Sequence, residues 1–293
     1  ETRLKTYIKK ELRVILEEFG DKRRCQITSD VISAQAFSDQ DMMPAENVTV
    51  VLSEKGWVKA AKGHEIDSSA LNYKSGDAFL KEAKGRSNKM AFFIDSSGRS
   101  YTLLANSLPS ARGQGEPLTG RLTPPIGAEF IDVVMGDDEQ LVILSSDAGY
   151  GFISTLGDLQ SKTKSGKHAI TLSKEAKTMR LTKVQNLESD YLAVITNRAR
   201  LLIFQVSELP HLSKGKGNKL INIKTDDFVA KEEFLIGLCI IKENQKLRVE
   251  YGNGKKHKQY SFSDLVNFTS HRARKGLTVP GVHGKALGID AID

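Results

Sequence analysis

Residues 212–223, LSKGKGNKLINI, form a basic, glycine-rich bend that runs into an apolar strand, and degenerate copies of this arrangement recur along the chain. Arg112-Gly-Gln-Gly precedes Pro117-Leu118, Lys164-Ser-Gly-Lys precedes Ala169-Ile-Thr-Leu172, and Arg272-Ala-Arg-Lys-Gly precedes Leu277-Thr-Val279. A weaker copy, Tyr73-Lys-Ser-Gly-Asp, precedes Ala78-Phe-Leu80. Gly115, Gly166 and Gly217 are spaced 51 residues apart; Gly276 follows Gly217 after 59, and Gly76 lies 39 before Gly115. A period of about 40 to 50 residues marks propeller-like arrays, because one small sheet cannot bury both faces alone and must stack on its neighbours. Five such bends predict five structural units.

Ahead of each bend lies a second recurring piece, a tight turn followed by an alternating strand. The copies are SEKGWVKAAKG (53–63), DSSGRSYTLLANSLPS (95–110), SDAGYGFISTLGDL (146–159), TNRARLLIFQVSELP (196–210) and NGKKHKQYSFSDL (253–265). Gly56, Gly98, Gly149 and Gly254 suit the positive φ of a hairpin turn. The alternation of Leu201-Leu-Ile-Phe-Gln-Val predicts a strand with one face on a core. Trp57 and Phe92-Phe93 read as packing residues.

Before the repeats, Leu4, Ile8, Leu12, Ile15 and Phe19 fall at coiled-coil spacing and predict a helix whose partner is missing from the chain. The expected organisation is therefore the end of a coiled-coil or connecting helix over 1–27, a linker over 28–45 and a mainly β body over 46–280. Residues 281–293, glycine-rich and ending acidic, read as a tail. Glu1 opens in mid-helix without an initiating Met, as expected of a piece of a longer chain.

The 293 residues, 39% of them apolar, suffice for a globular core. Lys and Arg number 43 against 36 Asp and Glu, a net charge of +7 that favours a polyanionic partner, nucleic acid before membrane. Cys25 and Cys239 stand far apart with no CxxC, which argues against a disulfide framework or structural zinc. No run of about 18 apolar residues and no signal peptide is visible, so no membrane insertion is expected and a cytoplasmic location is.

Catalytic motifs are weak by comparison. Ser165-Gly-Lys-His168 and Gly215-Lys216 do not fit a P-loop, and His64-Glu65 lacks the second histidine of HExxH. Tyr101, in Arg99-Ser-Tyr-Thr102, sits in an alternating strand where packing is the expected role. The basic bends are the stronger signal. Cations that neutralise backbone phosphates release counterions, and glycine-rich bends are expected to let backbone amides approach the same phosphates. The candidate DNA-binding residues are Arg112, Lys164, Lys167, Lys214, Lys216, Lys219, Arg272, Arg274 and Lys275, with Lys59, Lys62 and Lys74 as secondary candidates. Aromatics do not interleave with the bends and no recognition helix is evident, so duplex is expected before single strands and shape before sequence. An alternative reading is a propeller-like scaffold for a protein partner, its basic bends incidental.

Specific stretches also carry a resemblance. IKKEL with FGDKRR resembles the returning coiled-coil helix at the end of the breakage-reunion part of the A subunit of bacterial topoisomerase IV. NVTVVLSEKGWVKAAKGHEID (47–67), LNYKSGD (71–77), SGRSYTL (97–103), LPSARGQGEPLTG (108–120), SSDAGYGF (145–152) and LSKGKGNKLINI (212–223) are similar to that family's C-terminal domain in γ-proteobacteria. The resemblance implies a five-bladed β-pinwheel of four-stranded antiparallel sheets, with one strand exchanged between neighbours, behind an N-terminal helix. It implies a basic rim that binds and bends duplex DNA and so helps the holoenzyme choose segments for ATP-dependent passage, in decatenation, supercoil relaxation and chromosome segregation. SSALNYKSGD (68–77) stands where the related gyrase domain carries QRRGGKG, which argues against strong wrapping. The implied partners are double-stranded DNA, the rest of the dimer to which such domains belong, the ATPase subunit in a heterotetramer and a condensin-type SMC hinge, in the cytoplasm at the nucleoid. No cofactor is expected in this chain: the resemblance assigns ATP and Mg²⁺ to the ATPase subunit, with the catalytic tyrosine in a region upstream.

Overall fold

The computed structural model describes residues 1–21, 45–254 and 256–292. Cys25 and the expected linker up to Pro44 lie outside the described residues. The N-terminal helix, Thr2–Phe19, belongs to a unit separate from the sheets, and its stripe of Leu4, Ile8, Leu12, Ile15 and Phe19 is exposed.

Among the described residues the second unit contains five antiparallel sheets, four of four strands and a last one of three. Each is built on a hairpin: Asn47–Ser53 with Trp57–Lys62, Met90–Asp95 with Arg99–Leu104, Leu141–Ser145 with Tyr150–Thr155, Tyr191–Thr196 with Arg200–Gln205, and Lys246–Tyr251 with Lys256–Tyr260. The turns hold the expected glycines at positive φ, 74° at Gly56, 87° at Gly98 and 80° at both Gly149 and Gly254. In the fourth hairpin Ala199 takes the same left-handed conformation, φ 55°.

The first strand of each hairpin pairs with an inner strand: Phe79–Arg86, Phe130–Met135, Thr182–Lys183, Leu235–Ile241 and Ala286–Ile292 in turn. Residues from all five inner strands line one central cavity of about 1150 Å³. The last of them overturns the expected tail, since Ala286–Ile292 runs in register with Lys246–Tyr251 and buries Ala286 and Ile289.

A two-residue closing strand completes each of the first four sheets, and here the bends find their purpose. Glu116–Pro117 pairs with Trp57 and Val58, Lys167–His168 with Ser100 and Arg99, Asn218–Lys219 with Gly151 and Tyr150, and Leu277–Thr278 with Leu201 and Arg200. Each closing strand follows the hairpin of the next sheet, so the chain reaches back one sheet every time. The bend glycine directly before it, Gly115, Gly166, Gly217 or Gly276, has φ between 73° and 89° and lies against the neighbouring hairpin strand. A Cβ there would stand 2.5 Å from the Val58 carbonyl oxygen at Gly115, 2.9 Å from that of Ser100 at Gly166 and 2.8 Å from that of Leu201 at Gly276, and at Gly217 it would overlap the carbonyl of Gly151. Gly76, the weak copy, shares the conformation at φ 72° but closes no sheet, and a Cβ there would meet only the Lys55 ammonium. The second strand of the last hairpin, Lys256–Tyr260, correspondingly has no closing strand among the described residues.

The interior sheets bury both faces, which refines the expected one-sided pattern. In the fourth hairpin Leu201 and Ile203 join a cluster with Leu247, Val249 and Ile289 of the fifth sheet, while Leu202 and Phe204 join Ile143 and Ile153 of the third. Two further clusters lie between sheets one and two and between sheets two and three. Period-two alternation therefore sorts side chains between two cores rather than between core and water. Among the described residues four cores and four strand exchanges join five sheets, and neither joins the fifth to the first.

Lys59 is not on the surface, contrary to its candidacy as a DNA contact. Its side chain is buried, its ammonium donates to the Asn72 carbonyl and lies 3.9 Å from the Tyr73 ring centroid, and burial lowers its pKa, partly opposed by Asp77. It is an internal strut that pins the weak bend to the first sheet.

Two outcomes test this architecture. Gly217→Ala is expected to cost about 2 to 5 kcal/mol in urea unfolding, from the left-handed backbone and the carbonyl overlap together, and Gly76→Ala about 1 to 2 kcal/mol from the backbone alone. Equal costs would mean that the bend does not dock. In amine acylation read by mass spectrometry, Lys62 and Lys74 are expected to react and Lys59 to stay protected until the chain unfolds. A lowered pKa alone would make Lys59 the faster one, so protection reports burial.

Candidate nucleic-acid interface

The strand exchange sets the basic bends side by side. Thr123, just beyond the first closing strand, donates its amide to the Lys164 carbonyl of the next bend at 2.8 Å. Thr171 donates to Gly215 at 2.8 Å, and Gly215 returns its amide to Ala169 at 3.4 Å. Ala273 donates to Leu220 at 2.8 Å and Asn222 to Arg274 at 2.9 Å. Backbone hydrogen bonds thus tie the segment that follows each of the first three closing strands to the next bend, so that the four bends follow one another in chain order as a strip.

Within the strip the cations divide by what holds them. Arg112, Lys164, Lys214, Lys216, Arg274 and Lys275 are exposed. Lys216 is steered by the Tyr150 ring, 4.1 Å from its ammonium, and Lys74 of the weak bend by Trp57 at 4.8 Å. Such contacts at exposed sites are worth about 0.5 to 1 kcal/mol, enough to bias a lysine without hiding its charge. Lys62 is exposed but faces Glu46 at 2.9 Å, which offsets its field.

Three candidates are half-buried and serve the fold as well. The Lys167 ammonium donates to the Asp158 carbonyl, and that of Lys219 to Asn222 Oδ1 at 3.1 Å. Arg272 donates through Nε to the Glu208 carbonyl at 3.0 Å and through Nη1 to the Lys219 carbonyl at 3.4 Å. It therefore bolts the last bend to its neighbour. Bend amides are likewise engaged inside the protein: Gly113 donates to Ser110 at 3.3 Å and Gly166 to Thr163 at 3.1 Å. These amides, of the kind expected to meet phosphates, are engaged within the protein, while the exposed cations of the bends face outward.

One contributor escaped the sequence reading. Arg99, the first residue after the second hairpin turn, reaches the bend docked on its own sheet and donates through Nη1 to the Ser165 carbonyl at 2.9 Å. Its signal was its register, since Trp57, Tyr150 and Arg200 occupy the same post-turn position. Tyr101 has the expected packing role. It is fully buried, its hydroxyl donates to Asp95 at 2.7 Å, its ring packs edge-on to Phe130 and forms the floor under Gly166, and burial raises its pKa.

Comparison with known proteins agrees with this architecture. The family described as "DNA gyrase C-terminal domain, beta-propeller" matches residues 140–184 and 190–231, which span the third and fourth repeats. The A subunit of DNA topoisomerase 4 from Pseudomonas aeruginosa is 47% identical over 280 residues, covering 96% of this chain and 37% of that protein. The chain thus spans little more than a third of that relative. A solved structure described as the E. coli ParC C-terminal domain superposes with a TM-score of 0.76 at 43% identity, over 84% of this chain and 98% of that one. A DNA gyrase A C-terminal domain superposes at 0.61 with 16% identity, over 85% and 83%, which shows a shared fold. With near-complete coverage of a solved C-terminal domain at that identity, the chain belongs to the ParC family, as the C-terminal domain of a DNA topoisomerase IV A subunit.

Proposed function

We propose that this domain captures duplex DNA by its backbone along the strip of linked bends and curves it around the edge of the sheets. The observation that carries this is the continuity of the strip: four bends from four repeats, linked through the segments between them by backbone hydrogen bonds, leave Arg112, Lys164, Lys214, Lys216, Arg274 and Lys275 exposed. Exposed cations from successive repeats can engage successive backbone phosphates of a duplex and need no base contact. Contact at successive bends requires the helix axis to follow the edge, and the bending energy is offset by the added phosphate contacts. Lys167, Lys219 and Arg272 contribute charge while holding the bends, and Lys62 and Lys74 extend the field toward the first sheet.

In the larger enzyme this capture helps select the duplex segment passed during decatenation and supercoil relaxation, in support of chromosome segregation. Bond breaking and rejoining belong to the remainder of the ParC dimer, and ATP and Mg²⁺ to the ATPase subunit, ParE, of the heterotetramer. The domain itself needs no cofactor. A condensin-type SMC hinge is a further partner of the same basic surface, and the setting is the cytoplasm at the nucleoid.

Duplex binding to the isolated chain, followed by fluorescence anisotropy over a salt series, should weaken with a slope near −0.9 per phosphate engaged. Lys164→Glu, Lys214→Glu and Arg274→Glu, one exposed cation from each of three bends, should together reduce affinity by at least about a hundredfold and flatten the slope by about 2 to 3. Binding that persists unchanged in the triple variant would remove the strip from the DNA path. Absence of any salt-sensitive binding would favour a protein partner for this edge.

A further inference from the structure

A basic cleft of about 510 Å³ lies where the fourth hairpin turn, the last closing strand and the segment after the third bend meet. Arg198, Arg200, Lys224 and Lys275 line it with Asn222, Thr278 and one carboxylate, Asp227. Here four cations surround one concavity. Arg198 faces Glu232 at 2.7 Å and Asp227 at 3.9 Å, and Arg200 pairs with the buried Glu233. Lys224 and Lys275 are exposed and have no ion pair among the described residues, and the lining cations outnumber Asp227, the lining carboxylate, which lies nearest Arg198. The Arg200 side chain is nearly buried and its Nη1 has no acceptor among the described residues. Burial, and after it the Arg198 charge, lowers the Arg200 pKa, so an added anion would relieve an existing cost. Asn222 Oδ1 is occupied by Lys219, which leaves its amide nitrogen available as a donor, and the Thr278 hydroxyl adds another.

We infer that this cleft is a phosphate pocket, holding one phosphate group between Lys224 and Lys275 above the Arg198 and Arg200 guanidiniums. Its natural source is a backbone phosphate of the duplex, a step that rests on the DNA-binding reading; a free phosphate ester shares the chemistry. The pocket would fix the register of the duplex at the fourth sheet, where open lysines hold it only diffusely. Lys224 belongs to no basic bend, so the repeat pattern alone would not enrol it.

The test uses the chain with Lys224→Gln, Lys275→Gln and the double variant, all at exposed positions that spare the Arg200–Glu233 pair. In one arm, duplex anisotropy is measured over a salt series. If both lysines hold the same phosphate, each single variant should lose about tenfold and flatten the slope by about 0.9, and the double variant should lose little more. Lys214→Gln with Lys275→Gln, in separate places, should instead add. In the other arm, inorganic phosphate or pyrophosphate at constant ionic strength should raise the unfolding temperature of the wild-type chain and not of the double variant. Phosphate stabilisation with unchanged duplex binding in the variants would uphold the pocket and assign it to a free phosphate ester. Additive losses on duplex together with no phosphate effect would overturn it. Failure of the wild-type chain to bind duplex would sink the DNA reading, and the phosphate arm would still decide the pocket.

Discussion

The structure depends on backbone meeting backbone where each bend docks on the sheet before it. At Gly115, Gly166, Gly217 and Gly276 the chain must turn with positive φ and lie so close to the neighbouring hairpin strand that no Cβ fits. Only glycine satisfies both conditions. The two residues that follow then pair as a closing strand, and the sheet they complete belongs to the previous repeat. Neighbouring blades are therefore joined by main-chain hydrogen bonds as well as by side-chain packing.

Because the exchange fixes one sheet against the next, both faces of each interior sheet are buried. Leu201 and Ile203 point to one core while Leu202 and Phe204 point to the other. The same logic explains where the array stops. The weak bend around Gly76 has no earlier sheet to complete, and the edge at Lys256–Tyr260 receives no closing strand among the described residues. Among the described residues no shared core and no exchanged strand joins the last sheet to the first.

The bends carry two demands that compete for the same residues. Docking needs tight turns, satisfied amides and struts, and it draws in Lys167, Lys219 and Arg272, whose polar heads are spent on protein carbonyls and an amide oxygen. Ligand capture needs free charge, supplied by the neighbours whose heads remain outside. Lys59 marks the limit of this partition, a lysine used wholly inside, its charge made costly by burial. Cation-rich bends that look alike in sequence thus contain both anchors and contacts.

The repeat, the five units and the basic bends were legible in the chain because glycine at a forced backbone conformation and charge beside it leave a periodic mark. The strand exchange itself was expected from resemblance rather than from spacing. What the sequence could not separate was a surface lysine from a buried one, since Lys59 and Lys62 sit three residues apart on one alternating strand and only the weak bend folding over the sheet covers the first. Nor could it show that Ala286–Ile292 is a strand, because a glycine-rich, acidic end becomes one only when Lys246–Tyr251 offers it a partner. Local sequence determined turns, alternation and charge, which depend on residues near one another in the chain. Tertiary structure decided burial, pairing and the gathering of Arg198, Lys224 and Lys275 around one cleft, which depend on contacts between segments far apart in sequence.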